Sequence, residues 1–247
     1  GGNIYSLNGL EPSGGGYEIM SGTSMASPQV AGMAALMAQY VRENGLAEKT
    51  GMDERHLIQS LLMSTAKPLL ASEGVYWPVL QQGAGMANVH DAMQADSYLT
   101  MAPGTNSGAE DGKIKVELGD DPAKDGVYNF GFTIHNFSDA DKTYTLDSSL
   151  LTEDFVDMGG FEFMAEQGRA LTGDVTFSKD TVTVPAGGVR NVTVTVNLSA
   201  EDKTWIREHF ENGIYVEGFV YLNDENGVDL SLPFLGFYGD WTAAPIL

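Results

Sequence analysis

The chain of 247 residues contains no cysteine. Disulfides and thiol catalysis are thereby excluded, although the compartment stays open, because many exported bacterial proteins lack cysteine. No run of 18 apolar residues occurs, so no membrane-spanning helix is expected. Positive charge is scarce: 13 Lys and Arg stand against 34 Asp and Glu, a formal charge of −21. The deficit is uneven, with 4 basic and 9 acidic residues over 1–98 and 9 and 25 over 99–247. Such a surface repels nucleic acid and anionic membrane, and neither is expected as a partner. Cationic ligands and divalent cations stay open, although an acidic solvated surface is the commoner meaning. Histidine is sparse, at His56, His90, His135 and His209. No H-E-x-x-H or similar paired spacing marks a metal site, and no cofactor is expected. Asp120-Asp121 and Asp224-Glu225 are the nearest approach to calcium ligands, but acid-rich turns ordinarily face water. No signal peptide opens the chain, and Gly1-Gly2-Asn3-Ile4-Tyr5-Ser6 reads as mid-domain sequence from something longer.

What is present centres on Ser21-Gly22-Thr23-Ser24-Met25-Ala26-Ser27-Pro28 and the apolar run that continues to Met37. A tight glycine turn feeds a helix, expected from Ser24 to about Glu43, with Gly45 as its stop. Thr23 is placed to cap the helix start. Ser24 lies where first-turn N–H groups and the positive end of the helix dipole converge, the setting a serine nucleophile needs for its oxyanion. Pro28 fits only near the front, where a missing N–H is tolerated. Val30, Ala31, Met33, Ala34, Leu36 and Met37 leave no wholly polar face, so the helix is expected to be buried on every side. A serine at a helix start is ordinarily no more than a cap.

The stretch from Gly22 to Gly32 resembles the nucleophile motif of the subtilase family of serine proteases, G-T-S-M-A-x-P followed by V-A-G. That resemblance implies Ser24 as the catalytic nucleophile, its own N–H contributing to the oxyanion hole, and Thr23 as a secondary oxyanion neighbour. Gln29 departs from the histidine that many members carry. The glycine-rich residues 1–20 resemble the segment that runs along the site in subtilases, or are a plain connector. In the family the histidine base and the acid precede the serine. The 23 residues before Ser24 hold neither histidine nor aspartate. The resemblance therefore places the base, the acid and the oxyanion asparagine outside this chain, and leaves the chain alone inactive. The sheet that covers the nucleophile helix would also lie outside it, so residues 1–98 should rest on another chain or on the later part of this one.

A second helix is expected from about Met52 to Thr65, with Leu57, Ile58, Leu61 and Leu62 on one face, Thr50 or Asp53 as cap and Pro68 as its close. Within it Ser64-Thr65-Ala66-Lys67 matches the S-x-x-K of penicillin-recognising acyl enzymes. The companion S-D-N and K-T-G motifs are absent, and the serine sits at the wrong end of its helix. Tyr76-Trp77-Pro78-Val79-Leu80 reads as an extended ribbon. Gln82-Gly83-Ala84-Gly85-Met86-Ala87-Asn88-Val89 resembles the segment closing subtilase catalytic domains, with Asn88 capping a short helix through Ala95.

Beyond a linker at 99–112 the period changes from helical to alternating. Strands are expected around 114–118, 128–134, 142–148, 181–184, 192–196, 213–223 and 228–238, an antiparallel sandwich. Ser199 to Asp202 reads as a capping box opening a short helix between strands. Residues 212–220 and 232–241 resemble the fibronectin-type-III-like domain that comes after the protease domain in cell-envelope proteinases of the lactocepin type. The expected fold class is mixed: the C-terminal helical part of an α/β subtilisin-like domain, then an all-β fibronectin-type-III-like sandwich. The division is 1–98, 99–112, 113–241 and a tail at 242–247 towards a further domain. The implied function is that of a fragment of a secreted or cell-wall-attached subtilisin-like serine endopeptidase. Its partners would be a protein or peptide substrate and the missing N-terminal part of the same protease domain, and calcium is allowed in the parent. The alternative is a non-catalytic adhesion protein with a degenerate protease part and a binding sandwich.

Overall fold

The structure is a computed structural model and describes residues 1–9, 12–102 and 114–243. Strands β1 (Ile4–Leu7) and β2 (Tyr17–Met20) form a hairpin that delivers the chain into α1 (Thr23–Glu43). Two short helices and one longer one come next: α2 (Leu46–Thr50), α3 (Glu54–Ser64), and, beyond the small hairpin β3 (Leu70–Ser72) and β4 (Val75–Tyr76), α4 (Val79–Gln82). Asp53 caps α3 by accepting from the His56 N–H at 3.2 Å. Asn88 caps α5 (Val89–Gln94) in the same way, accepting from His90 and Asp91. The buried positions of α3 include Leu57, Ile58, Leu61 and Leu62, the face anticipated from their spacing. They join Met37, Val41, Ala92 and Tyr98 in one cluster.

The expected ribbon over Tyr76–Leu80 is only half extended. Pro78, at φ −54° and ψ 145°, ends the strand and caps α4, and Gln82 reaches back to Trp77 O at 2.6 Å and to Leu69 N at 2.7 Å. The burial of α1 is also one-sided. Only Met37 and Val41 are fully buried, while Val30 and Leu36 are about half exposed, because α2, α3 and α5 cover a single flank.

The second half is built on two sheets. The first runs β10 (Asp174–Phe177), β12 (Val189–Asn197), β7 (Val127–Asn136), β5 (Ser97–Met101). The second runs β11 (Thr181–Val184), β8 (Lys142–Asp157), β13 (Gly213–Asn223), β14 (Leu230–Gly239), β6 (Val116–Asp120), with β9 (Glu162–Ala170) paired to β8. Inward residues of both sheets share one core that includes Phe132, Ile134, Val194, Val216, Leu232 and Phe234. Apolar burial on alternate strand positions is what drives two such faces together. All pairings are antiparallel among the described residues except β14 with β6, which is parallel and breaks the expected all-antiparallel order. β5 and β6 lie in different sheets, and β6 pairs along the edge of β14. β5 spans residues 97–101, across the position where composition suggested a linker begins, and it pairs with β7 from Ser97↔Asn136 to Met101↔Phe132. The rest of that linker lies outside the described residues. Helix α6 (Ala200–His209) opens on the full capping box of Ser199 and Asp202.

Side chains tie the halves together. Ser64 Oγ accepts from the Leu99 N–H at 3.0 Å, and Ser231 Oγ donates to Ala66 O at 2.7 Å. Tyr98 stacks on His135 with ring centroids 4.7 Å apart. Glu217, buried on β13, accepts from the Leu80 N–H of α4 at 3.1 Å.

Candidate active site

Gly22 makes the turn. Its φ of 146° is in the region open to glycine, and a Cβ there would be strained whatever the space around it. Asn3 N–H donates to Ser21 Oγ at 2.8 Å, and Gly22 N–H donates to Gly1 O at 2.8 Å, which fixes the entry to the helix. Gly22 O then accepts from Met25 N at 3.1 Å and Ala26 N at 3.2 Å.

Two N–H groups remain, those of Thr23 and Ser24, and neither has an acceptor among the described residues. The helix dipole adds its positive end at the same place. Thr23 does not cap: it is the first residue of the helix, the N-cap is Gly22, and no side-chain cap bond forms. Glycine wins the cap position because the turn needs its backbone angle. Ser24 is exposed, in the first turn, with no hydrogen-bond partner for its hydroxyl among the described residues. Pro28 lies inside the helix, not at its first position. Having no N–H, it leaves the Ser24 carbonyl, four residues back, without its helical donor.

Chemically, an exposed hydroxyl with two free, aligned N–H groups beside it can attack a carbonyl and hold the oxyanion that results. A proton acceptor is not found with it among the described residues. His56 pairs with Asp53, His209 with Glu162 at 3.2 Å, and His135 with Thr100 Oγ1 at 2.8 Å. Burial lowers the pKa of His135 below the usual histidine value. His90 is exposed on α5.

The S-x-x-K motif is consumed by packing. Ser64 is fully buried and occupied by Leu99, and Lys67 pairs with Asp91 at 2.7 Å. The acidic turns are likewise engaged. Asp121 accepts from Asp125 and Gly126, and Asp224 accepts from Asn226 and lies 3.6 Å from Lys142. Among the described residues no group of three or more His, Cys, Asp or Glu is placed to hold a metal ion. No helix among them is long and apolar enough to cross a membrane.

Comparison with known proteins gives two family matches. Residues 2–118 match the subtilase family and residues 116–235 match an Fn3-like domain. The chain is thus similar to a stretch of a subtilase followed by an Fn3-like domain. Among its relatives is the PI-type proteinase of Lactococcus lactis subsp. cremoris, 30% identical over 256 residues that span 100% of this chain and 12% of that protein. A PII-type proteinase of Lacticaseibacillus paracasei shows the same identity and coverage. The C5a peptidase of Streptococcus pyogenes is 32% identical over 231 residues, 91% of this chain and 18% of that protein. The chain thus spans a small part of the length of the curated relatives it matches.

Proposed function

We propose that this chain is part of a secreted or cell-wall-attached subtilisin-like serine endopeptidase. It would comprise the C-terminal helical part of the α/β protease domain and then a fibronectin-type-III-like sandwich. Ser24 is the nucleophile: its Oγ attacks the peptide carbonyl, and its own N–H, with Thr23 alongside, receives the developing oxyanion. The base and the acid that orients it come from sequence ahead of Gly1, in the order the family uses. Protein or peptide is the substrate, and calcium is a candidate ligand of the parent enzyme alone. The observation that carries this reading is the exposed, unpartnered Ser24 at the first turn of α1, beside two free N–H groups.

A fluorophosphonate probe tests it. The full-length parent should be labelled on Ser24 and the Ser24→Ala parent should not. The isolated 247-residue chain, without a base, should label far more slowly. An isolated chain labelled as fast as the parent, or a parent labelled elsewhere, would overturn the assignment.

A further inference from the structure

At one end the outer face of the larger sheet is covered. Tyr76 of β4 packs on Phe219 and Tyr221, with ring centroids 5.9 and 5.8 Å apart, and α4 lies over Glu217. Towards the start of β13 the same face is open, and there it holds a cavity of about 530 Å³. Three rings form one wall. Tyr215 and Phe237 are cross-strand partners with centroids 5.4 Å apart, and Trp241 lies 5.4 Å from the first and 5.2 Å from the second. Trp241 as a residue is 59% exposed, and its backbone N–H donates to Asp120 Oδ2 at 2.9 Å.

Glu153 of β8 stands in the same cavity, next to Tyr215 across the ladder. It is half-buried, and no hydrogen bond or ion pair to its carboxyl is found among the described residues. Among those residues no Lys, Arg or His lines the cavity. The other lining acid, Asp240, is already occupied by the Thr242 N–H and hydroxyl. Burial raises the Glu153 pKa, the signature of a carboxyl kept from water without a compensating cation.

A carboxylate beside ring faces is complementary to a flat, weakly hydrated cation that stacks and forms paired hydrogen bonds. We propose that this cavity binds the guanidinium side chain of an arginine in a peptide, stacked on Trp241 and paired with Glu153. The site takes Glu153 from β8, Tyr215 from β13, Phe237 from β14 and Trp241 just after it, away from α1, so it stands whether or not Ser24 is a nucleophile.

The probe is N-acetyl-arginine amide, with the neutral citrulline and norleucine amides as comparators. The readout is ¹⁹F NMR of the 5-fluorotryptophan-labelled chain, with Trp241 assigned through Trp241→Phe. The arginine derivative should move the Trp241 resonance saturably, leave those of Trp77 and Trp205 in place, and bind Glu153→Gln about five-fold or more weakly. Unchanged Trp77 and Trp205 resonances in Glu153→Gln report that it is folded. Trp241→Ala, at an exposed position, should lose saturation transfer to the arginine derivative. Equal binding of citrulline or norleucine would mean a merely apolar cavity and would overturn the proposal, as would unweakened binding by Glu153→Gln or an unmoved Trp241 resonance.

Discussion

Glu217→Gln should make the protein more stable at alkaline pH relative to the wild type, and the reason lies in one buried carboxyl. Glu217 has no solvent exposure, its Oε2 accepts from Leu80 N–H at 3.1 Å, and its Oε1 has no partner among the described residues. Burial pushes its pKa up from 4.5 to about 7, the α4 N–H groups opposing the rise and nearby Glu153 adding to it. Folded protein therefore holds this proton where unfolded protein has lost it. Its contribution to stability is intact below the unfolded value of 4.5 and is lost as pH rises towards 7 and beyond. Between pH 5 and pH 8 that loss integrates to about 2.5 kcal/mol. Glutamine keeps the acceptor for Leu80 but places an NH₂ where Oε1 has no partner, a fixed cost of about 1–3 kcal/mol. The informative quantity is thus the change in the mutant–wild-type difference with pH, because acids that do not interact with Glu217 contribute equally to both proteins. Urea unfolding at pH 5, 6, 7 and 8 should show that difference moving in favour of the Glu217→Gln protein by roughly 1 M in midpoint. Parallel pH profiles for the two proteins would refute a neutral, buried Glu217 between the halves.

Other substitutions test the framework. Gly85→Ala places a Cβ 2.4 Å from Lys67 O at φ +109°, so it should break the Lys67–Met86 bridge and cost about 2–3 kcal/mol by chemical denaturation. Asn136→Ala removes one donor from each of the Ala140, Val184 and Pro185 carbonyls, at 2.8, 3.1 and 3.0 Å, and the acceptor of the Ser138 N–H at 2.9 Å; about 2–4 kcal/mol should be lost, without change in a parent's labelling at Ser24. Ser64→Ala orphans the buried Leu99 N–H and should cost about 1–3 kcal/mol while leaving labelling at Ser24 intact, which separates a packing serine from a catalytic one.

The amino-acid pattern disclosed the elements whose burial alternates. Thr181–Val184 and Gly213–Asn223 appear at the bounds their alternation suggested, and the caps at Asp53, Asn88 and Ser199 arise from short polar side chains before apolar runs. Among the strands that escaped notice, β5 and β9 share one reason: their surroundings do not alternate. β5 is buried on both faces, so Ser97, Tyr98 and Leu99 read as an unpatterned run. β9 leaves Phe163 and Met164, neighbours in sequence, both about half exposed. β10 is an edge strand whose Val175 and Phe177 are only partly buried. At the candidate site, the position of Ser24 was legible, whereas the identity of the cap was not. Thr23 has a capping side chain, but the required φ of 146° selects Gly22 one residue earlier. The cavity at Trp241 was invisible, because Glu153, Tyr215 and Phe237 come from three strands and share no motif.

The placing of Ser24 depends on contacts far from it. Ser24 rides on α1, and α1 is gripped through Met37 and Val41, which share a cluster with Leu57 and Leu61 of α3. Helix α3 in turn ends against the first sheet through Ser64 and Leu99, and just beyond its end Ala66 O receives the Ser231 hydroxyl from the second. A helix with one buried flank has little intrinsic reason to stay fixed, since tertiary packing supplies most helical stability. The Fn3-like half therefore acts as a brace for the helix that presents the serine. Ser231→Ala tests this reasoning: it frees one carbonyl of the brace without touching α1. Hydrogen exchange should quicken in α3 first and, through the shared cluster, in the Met37–Val41 turn of α1. Exchange that quickens only around Ala66 would show that the two halves are joined but not mechanically coupled.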